Sequence, residues 1–287
     1  MKKRRPRHDK PILKALTFCA LVILVGTISF QACVYINNQH DINEKNVKIQ
    51  LIKEKAAVIE ALRKKPVYIT LPGAKPIRAI VDDYTKPDSI WAIVGKTHPI
   101  STEYIPPDLK IPDVATRTDK SDDERSVRAI ANTPLKMMFE AAAKAGHNLM
   151  IGSGYRSAAL QKVYFDSLAG SVGEVDANQA IAKPGQSEHQ TGLAVDISTL
   201  SRSCYLDQCF ATTADGLWLA DNSYKYGFIL RFPRGSEAIT GYQYEPWHFR
   251  YVGVDLATAL HESNLTLDAA WPYLQTAEKT LRKNGAI

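Results

Sequence analysis

Four cysteines are few for a chain of 287 residues, and no two of them form a Cys-x-x-Cys pair. That excludes the closed, cysteine-rich kind of structural zinc site. Internal repeats and low-complexity runs are absent as well, which removes repeat architectures from consideration. A basic surplus is missing from most of the chain. The formal charge of +6 equals that of residues 1–14 alone, and the remaining 29 basic and 29 acidic residues cancel. Nucleic-acid binding calls for a basic face on the folded domain, so no nucleic-acid partner is expected, and the basic pI reports topology.

Charge is wholly lacking from Ala15 to Ile36, directly after a tail that carries seven Lys and Arg residues. The length is close to the roughly 20 residues that cross a bilayer as a helix. Basic flanks stay in the cytoplasm. The expectation is a cytoplasmic tail over 1–14, a single-pass transmembrane signal-anchor over 15–36, and an extracytoplasmic remainder. Phe30 stands where a cleavage site needs a small residue, and Phe30-Gln31 makes Ala32-Cys33 a poor match to a lipoprotein site. A retained anchor is favoured, with cleavage and lipid modification left open.

Asn37 to Lys65 is rich in Glu and Lys, with Ile49, Ile52, Val58, Ile59 and Leu62 interspersed. This pattern predicts an amphipathic helical stalk ending at Pro66; a dimerising stalk stays open, and the oligomeric state is not legible. Prolines are dense from Pro66 to Pro112, so a loop-rich approach is expected, with short strands such as 90–94. The stalk and linker are placed over 37–87.

Chemistry concentrates in two segments. Ser187-Glu188-His189-Gln190-Thr191-Gly192-Leu193-Ala194-Val195-Asp196 is followed by Glu245-Pro246-Trp247-His248. Two histidines and an aspartate can hold a zinc ion with a fourth position open to water, the arrangement of catalytic zinc. Glu245 is then left over to move protons. Gly192 permits a tight backbone path, and Leu193 to Ile197 alternates into a short buried strand that would fix the Asp196 carboxylate. Pro246 argues against an uninterrupted central strand and places Glu245 at an edge or turn facing a cleft.

Together with Ser153-Gly154-Tyr155-Arg156-Ser157, Gln161, Pro184 to Gln186, Tyr226 to Arg231 and Phe249-Arg250, these segments resemble the VanY-like D-alanyl-D-alanine carboxypeptidases, zinc peptidases that trim the peptide stems of bacterial cell walls. The resemblance covers roughly Asp88 to Tyr273. It implies an α+β domain whose central antiparallel sheet, flanked by helices, carries the zinc site. It also implies His189, Asp196 and His248 as zinc ligands and Glu245 as catalytic acid/base. Arg156 would contact substrate and stabilise the oxyanion, a task that suits its fixed fork of donors. Gln161 and Ser187 match substrate-binding positions. Peptidoglycan stem peptides are the implied partners and the bacterial cell membrane the implied location. Three readings stay open: a D,D-carboxypeptidase on stems ending in D-Ala-D-Ala, an L,D-carboxypeptidase on tetrapeptide stems, and a metal-bearing cell-wall binding protein without turnover, against which the intact Glu245 speaks.

Cys204 and Cys209 flank four residues and could close a small loop in an oxidising compartment. Helices are expected from Thr133-Pro134 to Gly146, with Leu135, Met138, Phe139 and Ala142 facing the core, from about Ser157 to Leu168, and from about Asp215 to Tyr226. Strands are expected over 149–151, 228–231 and 248–252. The catalytic domain is placed over 88–275 and a C-terminal tail over 276–287. His8, His40, His98, His147 and His261 lack partners at ligand spacing and are assigned no chemistry.

Overall fold

The computed structural model describes residues 10–287, with side chains from Leu24 on except at 63 and 64. The chain divides into two compact units between Leu62 and Arg63.

The described residues of the first unit lie in one helix, α1 (Lys10–Lys64), and Pro66, which disfavours a helical residue before it, follows its end. Ile49, Ile52 and Ile59 are exposed along it. Among the described residues no helix is long and apolar enough to cross a membrane, so the transmembrane span expected over 15–36 is not found there. The side chains of 15–23, and the backbone of 1–9 within the basic tail, lie outside the described residues.

In the second unit, Val67 to Lys120 contributes the short strands β1 (Tyr68–Ile69), β2 (Ile77–Arg78) and β3 (Leu109–Lys110). There follow α2 (Asp122–Arg125), β4 (Val127–Arg128), α3 (Ala129–Lys144), β5 (Leu149–Ser153), α4 (Ala158–Val172) and α5 (Glu174–Ala180). The carboxyl-terminal half runs β6 (Ala194–Thr199), α6 (Ala214–Asn222), β7 (Phe228–Leu230), α7 (Glu237–Thr240), β8 (His248–Tyr251), α8 (Val254–Ser263) and α9 (Leu267–Lys283). The central sheet has the order β5-β6-β8-β7 and every pairing in it is antiparallel. This is the mixed helix and sheet arrangement expected.

Two apolar clusters form the core. One joins α3 (Leu135, Met138, Phe139) to Ile151, Val195, Phe249 and Phe210. The other joins the proline-dense segment to α8 and α9. That segment is therefore no loose linker: Ile69, Leu71, Tyr84 and Trp91 are buried, and Trp91 donates its indole N–H to Val252 O at 2.9 Å. Residues 90–94 form a turn and irregular chain instead of the expected strand, yet Trp91, Ile93 and Val94 are still buried. Likewise 276–287 is not a tail throughout, because Ala270, Leu274, Ala277 and Leu281 form a helical stripe that α9 buries.

Helix α3 begins upstream of the expected Thr133-Pro134 start, with Pro134 inside it. Its first backbone donors are taken by tertiary partners, Arg128 N–H by Gly192 O and Ala129 N–H by Asp108 O, which replaces a local cap. The Ser157 cap on α4 is as expected, accepting from Leu160 N–H at 3.2 Å, and Gly227 terminates the turn after α6 with φ of 85°.

Candidate metal centre

Three neighbouring strands put the site's groups at one level. Asp196 pairs with Ser153 on β5 and with His248 on β8, so the alternation of a strand aims both ligands the same way. His189 arrives from a 3-10 turn, Glu188–Thr191, closed by Gly192 at φ 67°. A Cβ on Gly192 would also meet Leu109 at 2.8 Å, so glycine alone suits both the angle and the space.

His189, Asp196 and His248 are all buried, and one ligand atom from each lies within 4.8 Å of the others. His189 Nδ1–H donates to Gly154 O at 2.6 Å. Its Nε2 lone pair then faces Asp196 Oδ2 at 3.4 Å. His248 Nδ1 lies 3.5 Å from Asp196 Oδ1 and 3.3 Å from Glu245 Oε2. The carbonyl that orients His189 depends on close packing, since a Cβ on Gly154 would meet Ser126 O at 2.3 Å.

These residues fit a divalent cation. Asp196 Oδ1 is buried without a hydrogen-bond partner among the described residues, an orphan that a metal would satisfy. Burial lowers the His189 pKa, outweighing Asp196, so its imidazole is held neutral. Burial alone would raise Asp196, but His189, His248 and Arg156 hold it below its ordinary value. Burial likewise works against charge on His248, yet Glu188 and Glu245 push it up to about 9. Neutral imidazole and ionised carboxylate are the forms that bind metal, so His189 and Asp196 stand in those forms while His248 would release its proton on binding, and a histidine ringed by carboxylates marks a pocket that favours positive charge. Two nitrogens and one oxygen with room beside them suit zinc in an open site.

The three residues open onto a cleft of about 590 Å³ that Glu245, Arg156, Gln161 and Ser187 also line. Glu245 stands on the turn before β8, where Pro246 was expected to put it. Arg156 donates to Gln161 Oε1 and Ser153 Oγ, each at 3.0 Å, and its Nη2 lies 3.7 Å from Asp196 Oδ2. Gln161 is 1% exposed and its amide nitrogen donates to Ala182 O. Both ends of that side chain are thus occupied, which makes it a clamp on Arg156. Ser187 is buried at the cleft edge.

Sequence reasoning gave no role to Glu188, Arg231 and Arg250, which are buried behind His248. They lie inside the motif segments, but ion pairs between distant positions leave no periodic trace. It also missed the far wall of the cleft, Tyr205 to Gln208. That wall is the loop closed by the Cys204–Cys209 disulfide, a bond the cysteine spacing had left open. Of the histidines assigned no chemistry, His147 meets Asp215 at 2.8 Å and His261 stacks on Tyr224, both away from the cleft.

Residues 124–254 match the VanY family of D-alanyl-D-alanine carboxypeptidases. The chain is 48% identical over 182 residues to a protein described as putative carboxypeptidase YodJ of Bacillus subtilis, covering 63% of this chain and 67% of that one. This chain belongs to the VanY family. Within it, the D-alanyl-D-alanine carboxypeptidase of Enterococcus faecalis is 35% identical over 151 residues, which span 50% of this chain and 53% of the relative. Among solved structures, the LdcB LD-carboxypeptidase superposes with a TM-score of 0.61 at 47% identity, covering 66% of this chain and 87% of that one. The vancomycin-resistance D,D-pentapeptidase VanY, in complex with Zn(II), gives 0.52 at 29% identity, covering 67% and 99%.

Proposed function

We propose that this chain is a zinc-dependent carboxypeptidase that removes a terminal D-alanine from peptidoglycan stem peptides. One observation carries the reading: Glu245 and Arg156 flank the His189, Asp196 and His248 cluster in a single cleft. When bound there, zinc supplies Lewis acidity toward a water and the scissile carbonyl. Glu245 takes the proton of the attacking water and later returns it to the leaving amine. Arg156, held by Gln161 and Ser153, stabilises the negative charge on the tetrahedral carbon's oxygen. Ser187 and the adjoining wall hold the peptide.

Cleavage of D-Ala-D-Ala ends is the activity carried by the family description and the Enterococcus relative. A second reading, L,D cleavage of tetrapeptide stems, is favoured by the 47% identity to LdcB against 29% to the D,D-pentapeptidase. Action outside the bacterial membrane, with residues 15–36 as anchor, belongs to the same proposal and rests on the uncharged run and its basic flank. The test is to incubate zinc-loaded protein with defined tetra- and pentapeptide stems and identify released amino acids by mass spectrometry. D-Alanine from the pentapeptide alone means D,D cleavage and from the tetrapeptide alone L,D cleavage; release from neither, with peptide bound, means a binding protein and sinks the enzyme reading.

A further inference from the structure

Behind the metal-facing side of His248 lies a closed ionic cluster. Glu188 Oε1 accepts from Arg231 Nε and from Arg250 Nη1, each at 2.8 Å. Arg231 spends its remaining nitrogens on the Asp268 carboxylate, and Arg250 Nη2 donates to Ile90 O and Ala92 O. The two arginines thus saturate a single oxygen of Glu188. Its other oxygen, Oε2, is buried with no hydrogen-bond partner among the described residues, and so is His248 Nε2. These two orphans face one another at 3.7 Å.

From this pairing we infer that Glu188 is a positioning residue for the metal site: its free oxygen holds the His248 Nε2–H, which leaves the Nδ1 lone pair directed at Asp196 and the metal. The inference rests on the metal-centre reading above. Burying a carboxylate is costly unless it is paired and hydrogen-bonded, and the two guanidiniums offset that cost while leaving one oxygen unspent. An outer carboxylate on a ligand histidine fixes its tautomer and ring orientation. The chain order makes this economical, because Glu188 directly precedes His189. One 3-10 turn therefore supplies one ligand and the anchor for another. Through Arg231 and Asp268, the amino end of α9 is tied to the same ligand.

Glu188→Gln separates this role from a plain ion-pair role. The amide oxygen can still accept from the arginines, but the amide nitrogen then faces His248 Nε2 and donates to it. The ring proton must move to Nδ1, occupying the lone pair that would bind metal. Zinc affinity of the full-length protein, measured by competition with a chromogenic chelator, is expected to fall roughly 10–100-fold. Asp268→Asn loosens the same cluster without touching His248, and its zinc affinity should fall by well under the roughly 10-fold lower limit typical of losing a ligand's own outer partner. In zinc-loaded wild type, nitrogen NMR of the His248 ring should show Nε2 protonated and Nδ1 bound, which decides the matter even if E188Q fails to fold. Unchanged zinc affinity in E188Q, equal losses in both variants, or zinc on Nε2 would overturn the role of Glu188 alone. Wild type that binds no zinc would overturn the metal-centre reading, and this inference with it.

Discussion

Gln161 holds Arg156 between the cleft and the backbone: its Oε1 accepts from Arg156 Nη1 at 3.0 Å while its amide nitrogen donates to Ala182 O at 2.7 Å. Gln161→Ala removes one side of the clamp, and Ser153 Oγ remains as the other. A hydrogen bond to a charged group contributes about 1.5–3 kcal/mol, so kcat is expected to fall on the order of 10-fold or more. KM should change little if Arg156 acts on the transition state. Steady-state kinetics on a stem peptide check this, and a rise in KM with unchanged kcat would assign Gln161 to ground-state binding.

Glu245→Gln keeps the shape of the cleft and removes the proposed proton carrier. Zinc content, measured by atomic absorption, should match wild type, since the proposed ligands are His189, Asp196 and His248. Turnover should fall by about 10²–10⁴, the range of general acid–base contributions. Near-normal activity would mean that another group moves the proton.

How far the sequence reached depends on the range of the interactions involved. The start of α4 at Ser157, the helical turn ending at Tyr226 and the core stripe of α3 are set by residues within a few positions, and they were legible. So was the approach of His189 and Asp196, because strand alternation and the Gly192 turn are local devices that bring them to the same place. Three features are settled by distant partners and left no local pattern. Asp108 and Gly192 carry the α3 start upstream. Trp91 finds Val252 across the fold, turning an apparent linker into core. Glu188 meets Arg231 and Arg250 only after the sheet has formed.

The Cys204–Cys209 bond closes the loop whose Tyr205 ring lies against Gly152, where a Cβ would meet it at 2.8 Å. The Arg117 guanidinium lies over the same ring at 4.9 Å. The C204S/C209S double variant is expected to lose about 2 kcal/mol of stability from the freed loop. Because Tyr205 to Gln208 wall the cleft, it should also raise KM for the stem peptide more than it lowers kcat. Denaturant melts with and without reductant, alongside kinetics, test both. Equal KM in variant and wild type would remove this loop from substrate binding.

Glu124 gives a pH dependence carried by a carboxylate outside the proposed ligand set. It is 7% exposed, and its carboxylate accepts from Lys120 Nζ at 2.7 Å, from Tyr164 OH at 2.6 Å and from Ser121. Burial would raise its pKa, but these donors outweigh burial and hold it down to about 2. A group depressed on folding contributes stability that is fully present above its unfolded value and is lost as pH falls through the folded one. Glu124→Gln should therefore cost about 2 kcal/mol near neutral pH, by the scale of such depressed carboxylates. The gap between variant and wild type should close between roughly pH 4.5 and pH 2, the interval set by the ordinary and depressed values. The backbone carbonyls of Glu124 and Ser126 receive the N–H groups of Gly154 and Tyr155, so loosening α2 should also disturb the carbonyl that orients His189. Urea melts at several pH values decide the point; a gap that stays constant down to pH 2 would show that the carboxylate's charge contributes nothing.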